Sequence, residues 1–496
     1  MNSFVALLPV IIFLVVGVVI AFIGAKLKNS TSSAGEFLNK YFLGNRNMGA
    51  FVLAMTTIAT YGSVSSFVGG PGQAWNIGWG WVYMATVQVT TLYLLYGILG
   101  KKMALVSRKL GAVTVVDVIR ERFNSPLLGI LSALIIVVFF ITTMIAQFVG
   151  GAKLFEAVTG QSYVTGLIIF GVAALLFTVI GGFRGVVLTD ALAGIIMLVG
   201  IVVLAGGILH AGDGFSSIMQ TISETKPHMM EPLADGTMPV GLYFTQWLLV
   251  GIFTFALPQS VVRTMGYKDT KSLHRATLIG TIIIGVMMIG VTSLGVLAAG
   301  VLTDPLEPYG AGTVDDIIPQ AIITTLPSWL ASIAIVGPVA ASISTVSSLL
   351  ISATSALVKD IWLAARPVAN VENINERSVS IVSRVATIVL ALIVVGLSIT
   401  PPSVIWKINM FAFGGLETAF AFVLLGTLFW KRATKIGALT SMIAGVAAYV
   451  VSMALGFKIG GLHQITIGLS VALLGMVIGS LLSKKQEPSE IFFPEK

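Results

Sequence analysis

The sequence contains no cysteine and few charged residues. The absence of cysteine excludes a disulfide framework and any site in which cysteine binds a metal. Only 10% of the 496 residues are charged and 56% are hydrophobic, which excludes a soluble domain of this length. The four histidines are not clustered, so we expect neither an enzyme nor a bound cofactor. The composition predicts an all-α polytopic membrane protein.

Apolar segments of about 20 residues or more, the length needed to cross a bilayer, occur thirteen times. They lie near residues 4–25, 47–72, 76–99, 126–150, 162–181, 187–209, 241–262, 275–302, 328–356, 379–399, 402–430, 436–456 and 462–482. The first is followed by Lys26 and Lys28, and no basic residue precedes it. It is therefore interpreted as a span, and not as a cleaved signal peptide.

The basic residues concentrate on one side of the predicted spans. With thirteen spans, 25 of the 29 Lys and Arg residues fall in loops on that side, Arg263 and Lys268 among them. By the positive-inside rule this side is cytoplasmic, which places the N-terminus outside and the C-terminus inside. Because the positive charge is spread over short loops, the net charge of +8 does not indicate nucleic-acid binding.

The stretch from Leu53 to Gly72 is apolar enough for a membrane but poorly suited to a continuous helix. It contains six Ser and Thr residues, four glycines and Pro71. A helix that unwinds at bilayer depth persists only where its freed backbone groups face protein, water or an ion. Discontinuous helices of this kind carry the substrate and ion sites of secondary transporters. The alternative is that the small residues only allow two helices to pack closely.

The seventh predicted span has a similar interruption, at Gly251 and Pro258. Two five-span units of opposite orientation, spans two to six and seven to eleven, would bring both breaks together at the membrane midplane. The predicted divisions are an N-terminal span and cytoplasmic loop (1–46), a first repeat (47–209), an extracellular loop (210–240), a second repeat (241–430), and two C-terminal spans with a tail (431–496).

One face of the ninth span carries a stripe of small and hydroxylated residues. These are Ala341, Ser344, Thr345, Ser348 and Ser352, at the spacing of one helix face. Such hydroxyls can simply bond back to carbonyls one turn earlier. Beside an unwound helix, two adjacent hydroxyls would equally contribute to a five-oxygen cage for a small cation. A cage without a full carboxylate suits a monovalent ion, and sodium is the natural choice.

Two acids lie within predicted spans, where a charge is costly and is therefore a functional candidate. Asp190 either pairs with Arg184 as a structural clamp or binds a cation transiently on the inward path. Glu417 lines the substrate cavity, accepts a proton or caps a kinked helix end, and the sequence leaves these alternatives open. Polar residues such as Gln88 and Thr142 either bond helices to each other or line a polar cavity.

Several motifs resemble the sodium:solute symporter family over nearly the whole chain. One family signature is matched at Thr427, Leu428, Arg432, Gly437, Ala438, Ser441 and Gly445. An earlier signature is matched at Gly160, Tyr163, Thr178, Gly181 and Gly182, with departures at Phe177 and Gly185. Within the family, the strings YFLGNRNMG, SSFVGGPG, GILGKK, QFVGGAKL, GYKDTKSLHR and AFGGLE look like those of the pantothenate carriers.

The resemblance implies a LeuT-like 5+5 inverted repeat with discontinuous helices and one sodium site. The ligands that it implies are the carbonyls of Ala59, Gly62 and Ala341 and the hydroxyls of Ser344 and Thr345. It also places Asp190 on the sodium exit route. Some relatives, such as proline carriers, have an Asp where this chain has Tyr61, which argues against proline as the substrate.

The resemblance also implies a substrate cavity beside the first break. The candidate residues, chosen by resemblance and polarity, are Ser65, Ser66, Gln88, Thr142, Phe253 and Asn409. N–H groups freed around Ser66–Gly69 would suit the carboxylate of pantothenate.

The expected function is sodium-coupled uptake of pantothenate by alternating access. The expected setting is the plasma membrane of a bacterium, where the chain acts as a monomer with the lipid bilayer, sodium and pantothenate as partners. One alternative is another small solute of the same family, either a monocarboxylate or an amino acid such as proline. An ion channel or a transporter-like sensor is a further alternative, against which the two interrupted helices and the lack of an output domain argue.

Overall fold

The computed structural model describes residues 3–26, 38–39, 42–43, 46–236, 238–302, 313–364 and 376–494. Within these ranges the chain is helical and forms no strand. The predicted cytoplasmic loop of the 1–46 segment lies largely outside the described residues.

The main helices follow the predicted apolar segments closely. In chain order they are α1 (Ser3–Lys26), α2 (Ala50–Tyr61), α3 (Gly70–Ile77), α4 (Trp79–Leu110), α5 (Val115–Phe123), α6 (Pro126–Thr159), α7 (Tyr163–Phe183), α8 (Gly185–Ala211), α9 (Phe215–Thr225), α10 (Val240–Met265), α11 (Thr270–Ala299), α12 (Ile317–Thr325), α13 (Ser328–Leu363), α14 (Glu376–Ser398), α15 (Ile405–Phe429), α16 (Lys435–Ala454) and α17 (Ile465–Leu482).

Polar side chains fix where several of these helices begin. The first amides of a helix have no partner within it, so a side-chain oxygen just before the helix stabilises its start. Ser125 caps α6, Ser162 caps α7, Asp269 caps α11 and Thr434 caps α16. The boundary between α7 and α8 is a kink at Gly182, where a φ of 55° requires glycine.

Eleven of the helices in the described residues are long and apolar enough to cross a membrane by themselves. Helices α2 and α3 pass the same test together, as one broken span. In α1 the apolar stretch is shorter, Leu8–Ile23. The predicted all-α polytopic architecture is confirmed, whereas the total of thirteen spans stays a prediction.

The first break lies where the sequence predicts it. Helix α2 ends at Tyr61, Gly62 is extended (φ −68°, ψ 110°), and a π turn occupies Ser65–Gly69. The two halves of the span are bent by 63° relative to each other.

Neighbouring helices supply the hydrogen bonds that the broken helix loses. The side-chain oxygen of Gln147 in α6 accepts a hydrogen bond from the N–H of Val64, at 2.9 Å. Ser342 of α13 in turn donates to the backbone carbonyl of Gln147, at 2.7 Å. The break is therefore stable at bilayer depth because protein groups, rather than water, satisfy its backbone.

The second break lies in α10 and touches the first. A π turn at Leu248–Ile252 is followed by a 3-10 turn, an extended Leu257, and a new helical segment that starts at Pro258. The hydroxyl of Tyr61 donates to the carbonyl of Val250 at 2.5 Å, so the ends of the two breaks are bonded directly. The two five-span repeats and the domain boundaries drawn from them stay a prediction.

The structure corrects the predicted position of Arg263. The sequence places Arg263 in a cytoplasmic loop, but α10 continues to Met265 and Arg263 is only 1% exposed. The prediction was wrong because it ended the span at residue 262. Pro258 starts a new helical segment that continues to Met265 and places the Arg263 side chain inside the bundle.

Helix α3 packs against α11 at Gly295. A Cβ atom at this position would clash with the carbonyl oxygen of Pro71. We expect Gly295→Ala to lower the free energy of unfolding by about 1–3 kcal/mol, because a backbone atom cannot yield without moving α3. Thermal unfolding in detergent micelles measures this loss. Gly396→Ala in α14 is the control, since nothing lies within 4 Å of its added Cβ. Equal melting temperatures for the two variants would contradict the close packing.

Candidate sodium and substrate sites

Five oxygen atoms predicted as sodium ligands lie together in the structure. The Ser344 hydroxyl is 3.2 Å from the carbonyl oxygen of Ala59. The Thr345 hydroxyl is 3.4 Å from the carbonyl oxygen of Gly62 and 2.9 Å from that of Ala341. All five residues are buried. The predicted ligand set is thus gathered between α2 and α13.

The local helix geometry explains this gathering. Because α2 ends at Tyr61, the carbonyls of its last turn lack partners farther along the helix. Ser344 and Thr345 lie on the buried stripe of α13 and bring their hydroxyls to these carbonyls. All five groups offer oxygen lone pairs and none carries a formal charge, which suits a monovalent cation. In the described part of the chain, no three His, Cys, Asp or Glu side chains are grouped to hold a metal ion.

Asp190 lies beside this set and is fully buried. One carboxylate oxygen accepts a hydrogen bond from Ser344 at 2.5 Å, and the other accepts from Thr56 at 2.8 Å. The charge partner that the structure shows is Arg263, at 3.3 Å. The side chain of Arg184, the partner considered from the sequence, lies outside the described residues.

Arg263 completes this network from the last segment of α10. Its guanidinium donates to the hydroxyl of Ser348 at 2.7 Å and to the backbone carbonyl of Gln259 at 2.6 Å. It also lies 3.3 Å from the Thr56 hydroxyl. A buried ion pair is tolerated when hydrogen bonds satisfy both groups in this way. This role was not predicted: Pro258 indicates that a helical segment begins before Arg263, but nothing local to Arg263 identifies Asp190 as its partner.

Three candidate substrate residues surround the first break. The Ser65 hydroxyl is 3.4 Å from the carbonyl oxygen of Ile405, at the start of α15. The Gln88 side chain accepts a hydrogen bond from Tyr61 at 3.1 Å. Asn409 lies one turn after Ile405, and its buried side-chain oxygen has no hydrogen-bond partner among the described residues. Tyr61, which sequence reasoning treated only as a missing Asp, is the link between Gln88 and the second break.

Two other candidates make different contacts: Phe253 packs against aromatic rings, and the Thr142 hydroxyl forms a hydrogen bond within its own helix. The ring of Phe253 packs against Phe255 and Phe422, with centroids 6.0 and 5.9 Å away. The Thr142 hydroxyl donates to the carbonyl of Val138 in its own helix, at 3.1 Å. No hydrogen bond or ring contact among the described residues joins these two candidates to Ser65, Gln88 or Asn409, so their assignment to the substrate cavity stays a prediction.

The amides at the start of the π turn are not free, contrary to the prediction. The N–H groups of Ser66 and Phe67 both donate to the carbonyl oxygen of Ser63, at 2.9 and 3.1 Å. The turn satisfies its own first amides, because the extended Gly62 allows the chain to restart a helical bond pattern at Ser63. In this conformation these two amides are not available to a carboxylate.

Glu417 is fully buried in α15, and neither carboxyl oxygen has a hydrogen-bond partner among the described residues. The helix runs without interruption from Ile405 to Phe429, so Glu417 does not cap a kinked helix end. The other two roles, lining the cavity and accepting a proton, stay predictions.

Asp315 ties a connecting segment to the start of α15. Its carboxylate accepts a hydrogen bond from the N–H of Ile405 at 2.9 Å, while the neighbouring Asp316 pairs with Lys153 at 3.2 Å. Burial raises the pKa of Asp315 to about 6, because the hydrogen bond from Ile405 and the charge of Lys153 only partly offset the loss of hydration.

A broken helix whose backbone carbonyls line a buried site inside the bundle is typical of an ion-coupled transporter. The chain belongs to the sodium:solute symporter family, whose model matches residues 41–445.

Two similar relatives are sodium/pantothenate symporters. The chain is 39% identical to that of Haemophilus influenzae over 481 residues, with 97% of each chain covered. It is 40% identical to that of Escherichia coli over 475 residues, with 96% of each covered. An osmoregulated proline transporter of Bacillus subtilis is 28% identical over 458 residues, with 90% of each covered.

A solved structure of a Na⁺-coupled sialic acid symporter resembles this chain with a TM-score of 0.77. The sequence identity is 17%, and 98% of this chain and 99% of that one are covered. The likeness confirms the predicted LeuT-like fold class.

A double-mutant cycle tests whether Asp190 and Arg263 stabilise the fold as a pair. We expect Arg263→Met and Asp190→Asn each to lower the free energy of unfolding by about 3–5 kcal/mol, because each leaves a buried group without its partner. The double variant should recover much of that loss. Thermal unfolding in detergent compares all three. Lys485→Met is the control, since its partner Glu487 is exposed. Losses that simply add in the double variant would contradict a coupled pair.

The raised pKa of Asp315 predicts a pH dependence of stability. The folded protein binds this proton more tightly than an unfolded chain with the ordinary pKa of 3.8. The stabilisation is fully present below that value and is lost as the pH rises through about 6. We expect the free energy of unfolding to fall by about 1 kcal/mol between pH 5 and pH 7 from this residue.

Asp315→Asn keeps a hydrogen-bond acceptor for Ile405 and removes the titration. Melting temperatures of the variant and the wild type, measured at both pH values, should therefore differ in their pH dependence. The same dependence in both proteins would exclude Asp315 as its source.

Proposed function

We propose that the protein is a sodium-coupled pantothenate symporter. The observation that carries this proposal is the convergence of five uncharged oxygens on the first helix break. It is supported by 39% and 40% identity to two sodium/pantothenate symporters over nearly the whole chain. Proline transporters are less similar, at 28% and 26%.

Sodium would bind between the carbonyls of the break and the two hydroxyls of α13. The hydrogen bonds that now join Ser344 to Ala59 and Thr345 to Gly62 would be replaced by bonds to the ion. Because ligands come from both α2 and α13, the ion holds the two helices together. Its charge also stabilises an anion nearby.

The proposed substrate site begins three residues after the sodium site, at Ser65. Pantothenate offers a carboxylate, an amide and hydroxyls. The side chains of Gln88 and Asn409 can form hydrogen bonds with the amide and the hydroxyls. The nearby sodium ion supplies the positive charge for the carboxylate. Each ligand then raises the affinity for the other, which is the thermodynamic basis of coupled transport.

Asp190 is the proposed next position of sodium on its way inward. It shares a hydrogen bond with Ser344, so an ion that leaves the five oxygens meets this carboxylate first. Asp190 is held by Arg263, and the ion must compete with the guanidinium for it. Release therefore requires the buried pair to loosen as the bundle opens.

The proposed setting is the cytoplasmic membrane of a bacterium. The distribution of Lys and Arg supports an N-terminus outside and a C-terminus inside. The contact between Tyr61 and Val250 supports two five-span repeats that meet at their broken helices. We further propose that the monomer is the working unit.

Uptake into liposomes tests the proposal. Purified protein with an inward sodium gradient should accumulate labelled pantothenate, and Ser344→Ala with Thr345→Ala should abolish this accumulation. Each hydroxyl contributes about 1–1.5 kcal/mol to sodium binding. Removal of both therefore costs about 2–3 kcal/mol, which corresponds to a roughly 30- to 150-fold weaker sodium affinity.

Ser352→Ala is the matched control. Its hydroxyl lies on the same stripe but bonds back to the carbonyl of Ser348, at 2.9 Å, so uptake should be nearly unchanged. An excess of unlabelled pantothenate, proline or a monocarboxylate identifies the substrate. Competition by proline and not by pantothenate would overturn the proposed substrate, and uptake independent of sodium would overturn the coupling.

A further inference from the structure

Three basic side chains surround the ring of Phe493 in the C-terminal tail. The Lys102 ammonium lies 4.4 Å from the ring centroid, the Arg122 guanidinium carbon 5.5 Å, and the Lys431 ammonium 5.9 Å. They come from α4, from α5 and from the turn between α15 and α16. We refer to Lys102, Arg122 and Lys431 as the Phe493 cation cluster.

No carboxylate of the described residues forms an ion pair with this cluster, and the exposed Glu487 is the one described acid close enough to Lys431 for the two charges to interact. None of its three members forms an ion pair with an Asp or Glu there. In the tail, Glu487 is exposed and pairs with Lys485 at 2.6 Å. The face of the Phe493 ring attracts cations but carries no net charge, so the excess of positive charge remains.

Arg122 is the most constrained member, with an exposure of 4%. One of its terminal nitrogens donates to the carbonyls of Lys431 and Ala433, at 3.2 and 3.3 Å. Its Nε and its other terminal nitrogen have no partner among the described residues. Burial lowers the pKa of Arg122 to about 10, which leaves it charged at neutral pH. Both nitrogens are buried, so Arg122 contributes its charge to the cluster, whereas Lys102 and Lys431 are the members that a headgroup can reach.

Apolar residues at the same end of the bundle mark the boundary of the membrane. Phe429, the last residue of α15, is 47% exposed, and its ring lies 5.0 Å from the Lys102 ammonium. Leu481 and Leu482 end α17 and are 58% and 84% exposed. Apolar side chains exposed at the ends of spanning helices face lipid, so headgroups lie at the level of the cluster.

We propose that the Phe493 cation cluster binds the phosphate of an anionic membrane lipid. The phosphate oxygens accept hydrogen bonds from the ammonium groups of Lys102 and Lys431, and the negative charge of the lipid offsets the repulsion among Arg122, Lys102 and Lys431. The lipid thereby stabilises the docking of the tail, in which Phe492 is only 1% exposed.

The bound lipid would act on more than the tail. Helix α5 carries Arg122 near its end and Asp117 near its start, and Asp117 pairs with Lys359 of α13. Helix α13 also carries Ser344. The proposed lipid site is therefore connected through α5 to the helix that holds the candidate sodium ligands.

Lipid retention in native mass spectrometry tests this site. The full chain is exchanged into detergent with phosphatidylglycerol or phosphatidylcholine, and the retained lipid molecules are counted. We expect the wild type to retain phosphatidylglycerol selectively and Lys102→Gln with Lys431→Gln to retain it at least tenfold more weakly. Lys484→Gln with Lys485→Gln removes the same charge from the exposed tail and should retain lipid like the wild type. Arg122→Gln provides a second variant, which removes the buried positive charge of the cluster.

A second arm separates a lipid from a soluble anion. Inorganic phosphate is added during the exchange, and we expect it to leave the retained phosphatidylglycerol in place. Displacement of the lipid by millimolar phosphate would overturn the lipid assignment in favour of a soluble phosphate anion. Equal retention by the wild type and by both Lys102→Gln/Lys431→Gln and Arg122→Gln would overturn the site itself. Because binding is measured without uptake, either result is independent of the proposed transport function.

Discussion

Hydrocarbon offers no partner to a backbone N–H or C=O group, and the centre of this protein is organised by that constraint. The chain between Tyr61 and Ser65 leaves the helical pattern at bilayer depth. Gln147 accepts a hydrogen bond from the Val64 amide, Tyr61 bonds to the second break, and two hydroxyls of α13 donate to the carbonyls of Ala59 and Gly62. A group that satisfies a broken helix in this way is also a group that can bind an ion, because carbonyls and hydroxyls are ligands for sodium.

The buried ion pair extends this organisation toward the other end of the bundle. Asp190 and Arg263 are unexposed, and each is tied by hydrogen bonds to helices that also contribute to the five oxygens. Thr56 comes from the broken span, and Ser348 comes from the hydroxyl stripe of α13. A movement of α2 relative to α13 therefore strains the pair as well as the candidate ion site.

Local features of the sequence predict the helices and breaks well, because their causes are local. Four glycines and a proline interrupt the first broken span, and the stripe of α13 follows from helical spacing alone. The partner of Asp190 was not predictable in this way, since Arg263 lies 73 residues away and its charge near a span end is typical of a loop. The amides of Ser66 and Phe67 were misjudged because the sequence does not show that Ser63 accepts both. Thr142 satisfies its hydroxyl within its own helix, an alternative that composition cannot exclude.

The hydroxyl of Ser344 has one proton and two acceptors, the carbonyl of Ala59 at 3.2 Å and the carboxylate of Asp190 at 2.5 Å. When the proton points to Asp190, the oxygen lone pairs point to the five-oxygen set. Occupation of that set by a cation would then fix the torsion of a single O–H bond without exchanging a proton with water. In the proposed transporter, the binding of a cation would thereby affect the buried pair through the orientation of one dipole.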